Sequence, residues 1–150
     1  MSNPIPEKAQ ALLNERFGCD QLLSLATLDG DWPAVRTVNG YYEDGCFFVI
    51  TYGLSNKMKQ IEKNPHVALS GEWFTAQGIG ENLGWFNREE NADCARKLRE
   101  VFASWIDNGH NDFSDPNTCI LRIRLTKAVL FSHGTRYDLD FTAESKYSLS

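Results

Sequence analysis

The chain has 150 residues, of which 42% are hydrophobic, and this length and composition suit one globular domain with a full core. Its net charge is −5, and the densest basic run covers only residues 96–99, so binding to a nucleic-acid backbone is not expected. No stretch has the apolar length of a membrane span, and the first residues lack the layout of a secretion signal. We expect one cytoplasmic domain over residues 1–150, with no nucleic-acid or membrane partner.

The first part of the chain predicts a helix followed by an antiparallel meander. Apolar residues recur at helical spacing from Pro6 to Phe17, and Gly18 follows where a helix would end. Three strand-like runs come next, with two polar tips between them: residues 21–28, Asp29-Gly30-Asp31, residues 33–42, Glu43-Asp44-Gly45 and residues 46–51. Short turns of this kind join consecutive antiparallel strands.

A second helix and a further strand are predicted after the meander. The helix begins at Ser55 and ends before Pro65, and the strand that follows runs to Gly71. The segment Gly78–Gly84 approaches a dinucleotide-binding loop, but its third glycine is one place late and the strands before it are antiparallel. A Rossmann fold is therefore not predicted.

The longest helix is predicted over residues 88–106, and Asn108-Gly109 ends its pattern. An apolar stripe on a helix could contact a cofactor, but it more often forms core, and we interpret this one as packing. The stripe consists of Ala92, Ala95, Leu98, Phe102, Trp105 and Ile106.

Two more strands close the predicted set. The clearest strand in the chain alternates Cys119, Leu121, Ile123 and Leu125 with their neighbours, and a final run alternates Tyr137, Leu139 and Phe141 with aspartates. Six or seven antiparallel strands with flanking helices indicate a mainly β, α+β fold. The sheet is expected to close, or nearly close, into a barrel, because closure removes exposed strand edges.

The cysteines and histidines do not predict a metal site. The four cysteines are widely spaced without a Cys-x-x-Cys pair, which suits reduced thiols, and no histidine has a partner at ligand spacing. The residues concerned are Cys19, Cys46, Cys94, Cys119, His66, His110 and His133.

A candidate anion site lies where the meander leads into the second helix. Ser55 and Lys57 occupy the predicted helix start, whose free N–H groups and positive dipole attract phosphate. Arg36 adds a planar donor fork that suits phosphate oxygens, and Thr51 lies at a strand end. The same residues also fit ordinary roles, namely a helix cap, a solvated lysine and an arginine paired with the turn Glu43-Asp44-Gly45.

Four segments occur in an order and spacing that resemble a known family. They are Pro33-Ala-Val-Arg36-Thr-Val, Phe47-Phe-Val-Ile-Thr51, Ser55-Asn-Lys57 and Lys63-Asn-Pro-His-Val-Ala-Leu69. With them the chain resembles the FMN-binding split barrels related to pyridoxamine 5′-phosphate oxidase, and within that group it is similar to the general stress protein branch. The segments from Trp73 to Gly84 and from His133 to Phe141 extend the resemblance over nearly the whole chain.

The resemblance implies a homodimer of split barrels with two FMN sites between the subunits. The 9 Phe, 4 Trp and 5 Tyr residues also indicate an interface, because they exceed what one small core readily buries. By position, Arg36, Ser55 and Lys57 would contact the FMN phosphate and ribityl chain. The backbone of Thr37 and Val38, and the segment from Thr51 to Tyr52, would lie along the isoalloxazine ring.

Asn56 and Trp73 complete the candidate cofactor-binding set. Asn56 stands where the oxidase often has a second basic residue, and Trp73 falls where the oxidase places a glutamine against the flavin. After Ser132 only Arg136 could match the oxidase's substrate-binding residues, so synthesis of pyridoxal phosphate is not expected. Two hypotheses follow, an FMN-dependent oxidoreductase acting on a small molecule, or a protein that binds or senses a flavin, haem or deazaflavin without turnover.

Overall fold

The computed structural model describes residues 5–142. The helices are α1 (Glu7–Phe17), α2 (Asn56–Lys63) and α3 (Ala92–Val101), with a short 3-10 helix (Glu89–Asn91) before α3. The strands are β1 (Gln21–Asp29), β2 (Trp32–Glu43), β3 (Cys46–Tyr52), β4 (His66–Gly71), β5 (Phe74–Trp85), β6 (Thr118–Ser132) and β7 (Thr135–Asp140). Every predicted element is present in the predicted order. None of the helices in this part of the chain is long and apolar enough to cross a membrane.

The seven strands form an antiparallel sheet in the order β3-β2-β1-β4-β5-β6-β7, and β3 also pairs with β6. This second pairing closes six strands into a barrel and leaves β7 as an extension. The long strand β6 makes closure possible, because its first half pairs with β3 while its second half pairs with β7. The predicted mainly β, α+β barrel of six to seven strands with flanking helices is confirmed.

The barrel is split between β2 and β3. These strands share only three residue pairs, from Tyr41–Phe48 to Glu43–Cys46, beside the turn that joins them. Away from the turn, β2 stays paired with β1 along nine residue pairs, and β3 stays paired with β6 along seven. The facing edges of β2 and β3 beyond Tyr41 and Phe48 therefore diverge and leave a gap in the wall.

The interior core fills the barrel and includes one face of α1. Ala9, Leu13 and Phe17 of this helix are all buried. The Phe17 ring lies 4.8 Å from that of Phe74 and 5.7 Å from that of Phe47, centroid to centroid. Aromatic pairs at this spacing add specific contact to the burial of apolar area. The amphipathic opening helix is thus part of the core.

A second, outer core covers the outside of β2, β3 and β6. Its buried members are Tyr41, Phe86, Ala95, Leu98, Phe102, Ile106 and Ile120. This cluster confirms that the apolar stripe after residue 88 serves packing. The barrel wall near the split is therefore packed on both of its faces.

The helix predicted over residues 88–106 is shorter than expected. The α-helix ends at Val101, and with 10 residues α3 is shorter than the 11-residue α1. Beyond it the amides of Ala103 and Trp105 donate to carbonyls three residues back, at 3.4 and 3.0 Å. These tighter turns still bury Phe102 and Ile106. The apolar spacing that predicts a longer helix is therefore also compatible with turns that are not regular α-helix.

Truncation of Phe17 tests the role of α1 in the barrel core. We expect Phe17→Ala to lower the free energy of unfolding by about 3–5 kcal/mol, because the cavity left between Phe47 and Phe74 cannot collapse fully. Phe131→Ala is the control, since Phe131 is 38% exposed, and it should cost about 1 kcal/mol or less. Urea unfolding measures both, and equal losses would contradict the packing of α1 described above.

Candidate functional site

A pocket of about 470 Å³ lies at the split. β2, β3, the start of α2 and the segment after α3 form its walls. Its lining residues are Arg36, Thr37, Val38, Asn39, Val49, Ile50, Lys57, Trp105, Asn108, His110 and Asn111. Four of the residues predicted from sequence therefore meet in one cavity: Arg36, Thr37, Val38 and Lys57.

The pocket has an inner and an outer side, because side chains alternate across a strand. Val38 and Val49 belong to the interior core, and Arg36 lies opposite Leu25, another interior residue. Ile50, by contrast, packs against the outer core. The cavity thus runs from the interior end of the barrel through the β2–β3 gap toward the outer core.

Arg36 is anchored to its neighbours by several hydrogen bonds. Its Nη1 donates to Thr27 Oγ1 at 2.7 Å and to the Leu25 carbonyl at 3.2 Å, and its Nη2 donates to Gln60 Oε1 at 3.1 Å. Burial lowers the pKa of Arg36, but a guanidinium remains charged in proteins. Arg36 makes no ion pair with Glu43, which instead accepts from the Tyr41 hydroxyl at 2.7 Å.

Lys57 is a half-buried cation in the first turn of α2. Its Nζ donates to Thr51 Oγ1 at 2.7 Å. Burial lowers the pKa of Lys57, and the positive charge of Arg36 lowers it further. Among the described residues that line the pocket none is Asp or Glu, in a chain whose net charge is −5. The cavity therefore holds two positive groups without a carboxylate, which favours an anionic ligand.

Ser55 occupies the predicted position but not the predicted hydrogen bond. It precedes α2 with extended backbone angles, as an N-cap does, yet its hydroxyl makes no capping bond. Its Oγ is buried and has no hydrogen-bond partner within residues 5–142. A buried hydroxyl without a partner costs free energy, and a ligand oxygen beside the helix start could satisfy it.

The other residues predicted for the site do not line this pocket. Thr51 is buried and reaches the site through its bond to Lys57, whereas Tyr52 and Asn56 are exposed. Trp73 lies at the β4–β5 turn with φ 55°, is 67% exposed and contacts the edge of Phe131. Roles for Tyr52, Asn56 and Trp73 in cofactor binding stay predictions.

The outer wall of the pocket was not predicted. The sequence predicts a packing role for Trp105, and this residue does border the outer core while also lining the cavity. In the sequence, Asn108 indicates only the end of a helix, and His110 is only a histidine without a metal-binding partner. No spacing in the sequence connects these residues to Arg36, because the fold alone brings the segment after α3 to the split.

Comparison with known proteins supports the fold. No protein-family model matches the sequence, and no curated protein does so either. A protein from Clostridium acetobutylicum, related to general stress protein 26 and placed in the pyridoxinephosphate oxidase family, is structurally similar. Its TM-score is 0.60 at 14% identity, with 91% of this chain and 94% of that chain covered. The chain has the split-barrel fold of the pyridoxamine 5′-phosphate oxidase-like proteins.

Two further structures with the same split barrel are named for their ligands. An FAD-binding protein from Mesorhizobium loti matches with a TM-score of 0.59 at 16% identity, covering 79% of this chain and 90% of that chain. A heme binding protein from Mycobacterium smegmatis matches with a TM-score of 0.64 at 13% identity, covering 86% of this chain and 56% of that chain. At these identities the likeness establishes the fold and not the ligand.

The lowered pKa of Lys57 predicts a specific pH dependence of stability. Below the ordinary lysine value of 10.5, the folded chain binds fewer protons at Lys57 than the unfolded chain does. The contribution of Lys57 to stability therefore increases as the pH rises through its folded pKa toward 10.5. We expect Lys57→Met to lose this increase, and Lys59→Met, which removes an exposed lysine of α2, to keep it. Urea unfolding at neutral and alkaline pH measures the difference, and identical pH profiles of the two variants would contradict the burial of Lys57.

Proposed function

We propose that this chain is an FMN-binding flavoprotein that oxidises or reduces a small molecule. The observation that carries the proposal is the pocket at the split, where Arg36 and Lys57 meet without a carboxylate. The FAD-binding protein from Mesorhizobium loti, which has the same fold, supports a flavin in this chain as well. The cytoplasmic location expected from the sequence belongs to the same proposal.

The phosphate of FMN fits the inner side of the pocket. Lys57 supplies an ammonium group that lines the pocket. Ser55, which does not line the pocket, adds at the adjacent helix start a buried hydroxyl that lacks a partner among the described residues. The two terminal nitrogens of Arg36 donate to protein oxygens, whereas its Nε–H has no partner within residues 5–142. This Nε–H is therefore a donor that Arg36 can offer to a ligand. Charge-assisted hydrogen bonds from such groups are the strong contacts of phosphate sites.

The edges of the split fit a flat polar ring. Thr37 and Val38 of β2 and Val49 and Ile50 of β3 line the cavity at positions where the two strands do not pair with each other. Backbone N–H and C=O groups on these edges can hydrogen-bond the rim of an isoalloxazine ring. A bound flavin supplies the redox chemistry, and the protein binds it, orients it and limits its access to water. We assign no acid, base or nucleophile.

A cofactor carrier without turnover is the second candidate. Heme is the ligand named for the Mycobacterium smegmatis protein, and in this chain His110 lines the pocket and could ligate an iron. The absorbance spectrum of the purified protein separates the two candidates, since flavin and haem bands differ in position.

We also propose that two copies of the chain associate through one outer surface of the barrel, here called the open sheet face. This face belongs to β1, β2, β4, β5 and β6 and surrounds Ala26, Val35, Ala68, Ser70, Thr75 and Val129. Together with β7, this face forms a groove of about 740 Å³, whose lining also includes Lys127, Asp138 and Asp140. Val35 is 70% exposed there and adds an apolar side chain to the groove. Small residues around it allow close approach of a second sheet. Two-fold dimers are the commonest homo-oligomers.

The ratio of FMN to riboflavin affinity tests the phosphate site. We expect Lys57→Met to weaken FMN by about ten- to a hundredfold, because one charge-assisted contact worth ~1.5–3 kcal/mol is lost. Riboflavin, which has no phosphate, should bind almost as before. Lys59→Met is the matched control on the same helix. Quenching of flavin fluorescence measures each affinity.

Arg36→Lys extends this test while preserving the positive charge. Arg36→Ala is a poorer choice, because it would also leave Thr27 and the Leu25 carbonyl without their donor. The lysine variant loses the Nε–H donor that has no partner within residues 5–142, so the FMN-to-riboflavin ratio should fall. If neither Lys57→Met nor Arg36→Lys changes that ratio, the phosphate does not bind here.

A charge on the open sheet face tests the dimer. Light scattering of the wild-type protein at micromolar concentration should give twice the chain mass. Val35→Lys should shift this mass toward the monomer, because an ammonium group buried at an interface lacks a partner. Ala103→Lys, on an exposed turn after α3, should leave the mass unchanged. A monomeric wild-type protein would overturn the proposed association.

A further inference from the structure

Trp105 is held in a fixed orientation at the pocket wall. Its indole Nε1–H donates to Asp20 Oδ2 at 2.7 Å. Its ring lies 4.9 Å from the Phe102 ring, centroid to centroid, with a tilt of 34° between the planes. One edge and one face of the indole are thereby engaged by the protein, while the residue also lines the cavity. An aromatic side chain fixed by packing and a hydrogen bond is a preorganised contact surface.

Asp20 positions two lining residues at once. Its Oδ2 accepts from Trp105, and its Oδ1 accepts from Asn39 Nδ2 at 2.9 Å. Asn39 lies on β2 and Trp105 in the segment after α3, so one carboxylate joins two walls that are distant in sequence. Asp20 itself does not line the pocket. A carboxylate can accept at both oxygens, whereas an amide of the same size must present one donor.

The two ends of the pocket differ in chemistry. Arg36 and Lys57 belong to the inner side, where the interior core begins, and Trp105 borders the outer core across the β2–β3 gap. A ligand that carries an anionic group at one end and a flat aromatic ring at the other matches both ends together. Among the residues that line the cavity, Trp105 offers the largest aromatic surface.

We propose that Trp105 is the surface on which the ring of the bound ligand stacks, and that Asp20 is the positioning residue that holds the indole for this contact. The proposal depends on the flavin site proposed above and adds the group that recognises its ring. A role of Trp105 in packing alone would change stability but neither flavin affinity nor flavin emission. The two roles are therefore separable by experiment.

Trp105→Leu is the first variant. It should weaken FMN and riboflavin equally, by about tenfold, because both flavins carry the ring and one aromatic stacking contact is lost. The FMN-to-riboflavin ratio should stay at its wild-type value, in contrast to Lys57→Met. The residual fluorescence of the bound flavin should also rise, since a stacked indole quenches it by electron transfer. Trp105→Phe should retain most of the affinity, and it serves as the conservative variant should Trp105→Leu not fold.

Asp20→Asn tests the positioning role. The amide N–H₂ of the variant would face either the Asn39 amide or the indole N–H, each of which donates to Asp20 in the wild-type protein. Because the indole is then held less firmly, both flavins should bind more weakly and bound-flavin fluorescence should rise. In the Trp105→Phe background, which lacks the indole N–H, the same substitution should have little effect on either readout. This double-mutant cycle isolates the Asp20–Trp105 contact. Asp93→Asn, at an exposed carboxylate paired with Arg96, is the control.

The outcomes distinguish this inference from the proposed function. If the wild-type protein binds neither FMN nor riboflavin, both the flavin site and the role of Trp105 are wrong. If it binds flavin and Lys57→Met lowers the FMN-to-riboflavin ratio, the phosphate site stands. In that case, unchanged affinity and fluorescence in Trp105→Leu would overturn the stacking role alone. If Trp105→Leu does not fold, bound-flavin fluorescence that stays at its wild-type level in Trp105→Phe would do the same, because a phenyl ring lacks the electron-donating indole. Unchanged affinity and fluorescence in Asp20→Asn would overturn the positioning role of Asp20.

Discussion

The divergence of β2 from β3 is the constraint on which the candidate site depends. Each strand keeps full pairing with its other neighbour, so the two edges that face each other carry backbone groups without a ladder partner. Such groups require water, side chains or a ligand to satisfy them. If β2 and β3 paired along their whole length, backbone hydrogen bonds would close the wall between them, and the residues that line the pocket would have no common space.

Arg36 connects the site to the stability of the barrel. Its guanidinium joins β1, through Thr27 and the Leu25 carbonyl, to helix α2, through Gln60. The same helix carries Lys57, whose ammonium group reaches back to Thr51 on β3. The orientation of α2 is therefore fixed by polar contacts to strands on both sides of the split. A site assembled in this way keeps its cations in place before any ligand arrives, which lowers the entropic cost of binding.

The sequence predicts an element well where one face of that element is buried. It predicts a site well where the residues that form the site lie close together along the chain. Alternation located β6 because Leu121, Ile123 and Leu125 enter the interior core. The separation of Arg36 on its strand from Lys57 at the helix start is short enough that both are assigned to one anion site. The 3.6-residue period did not distinguish α3 from the tighter turns after Val101, since both bury Phe102 and Ile106. Contacts such as Asp20 with Trp105 join residues 85 positions apart and leave no local signal.

The cost of the polar groups at the pocket agrees with the anion site proposed above. Lys57 is desolvated beside a second cation, and both effects lower its pKa, which means that its charged form is disfavoured in the folded chain. The hydroxyl of Ser55 is buried without a partner among the described residues, at a further cost. Apolar residues at these two positions would relieve both costs if the barrel alone were needed. Residues that destabilise a fold are tolerated where they serve binding. A ligand that binds only the folded state increases the free energy of unfolding and so offsets their cost. An anion bound between Arg36 and Lys57 would favour the charged form of Lys57. It would thereby offset the free-energy cost that burial of this residue imposes on the chain without a ligand.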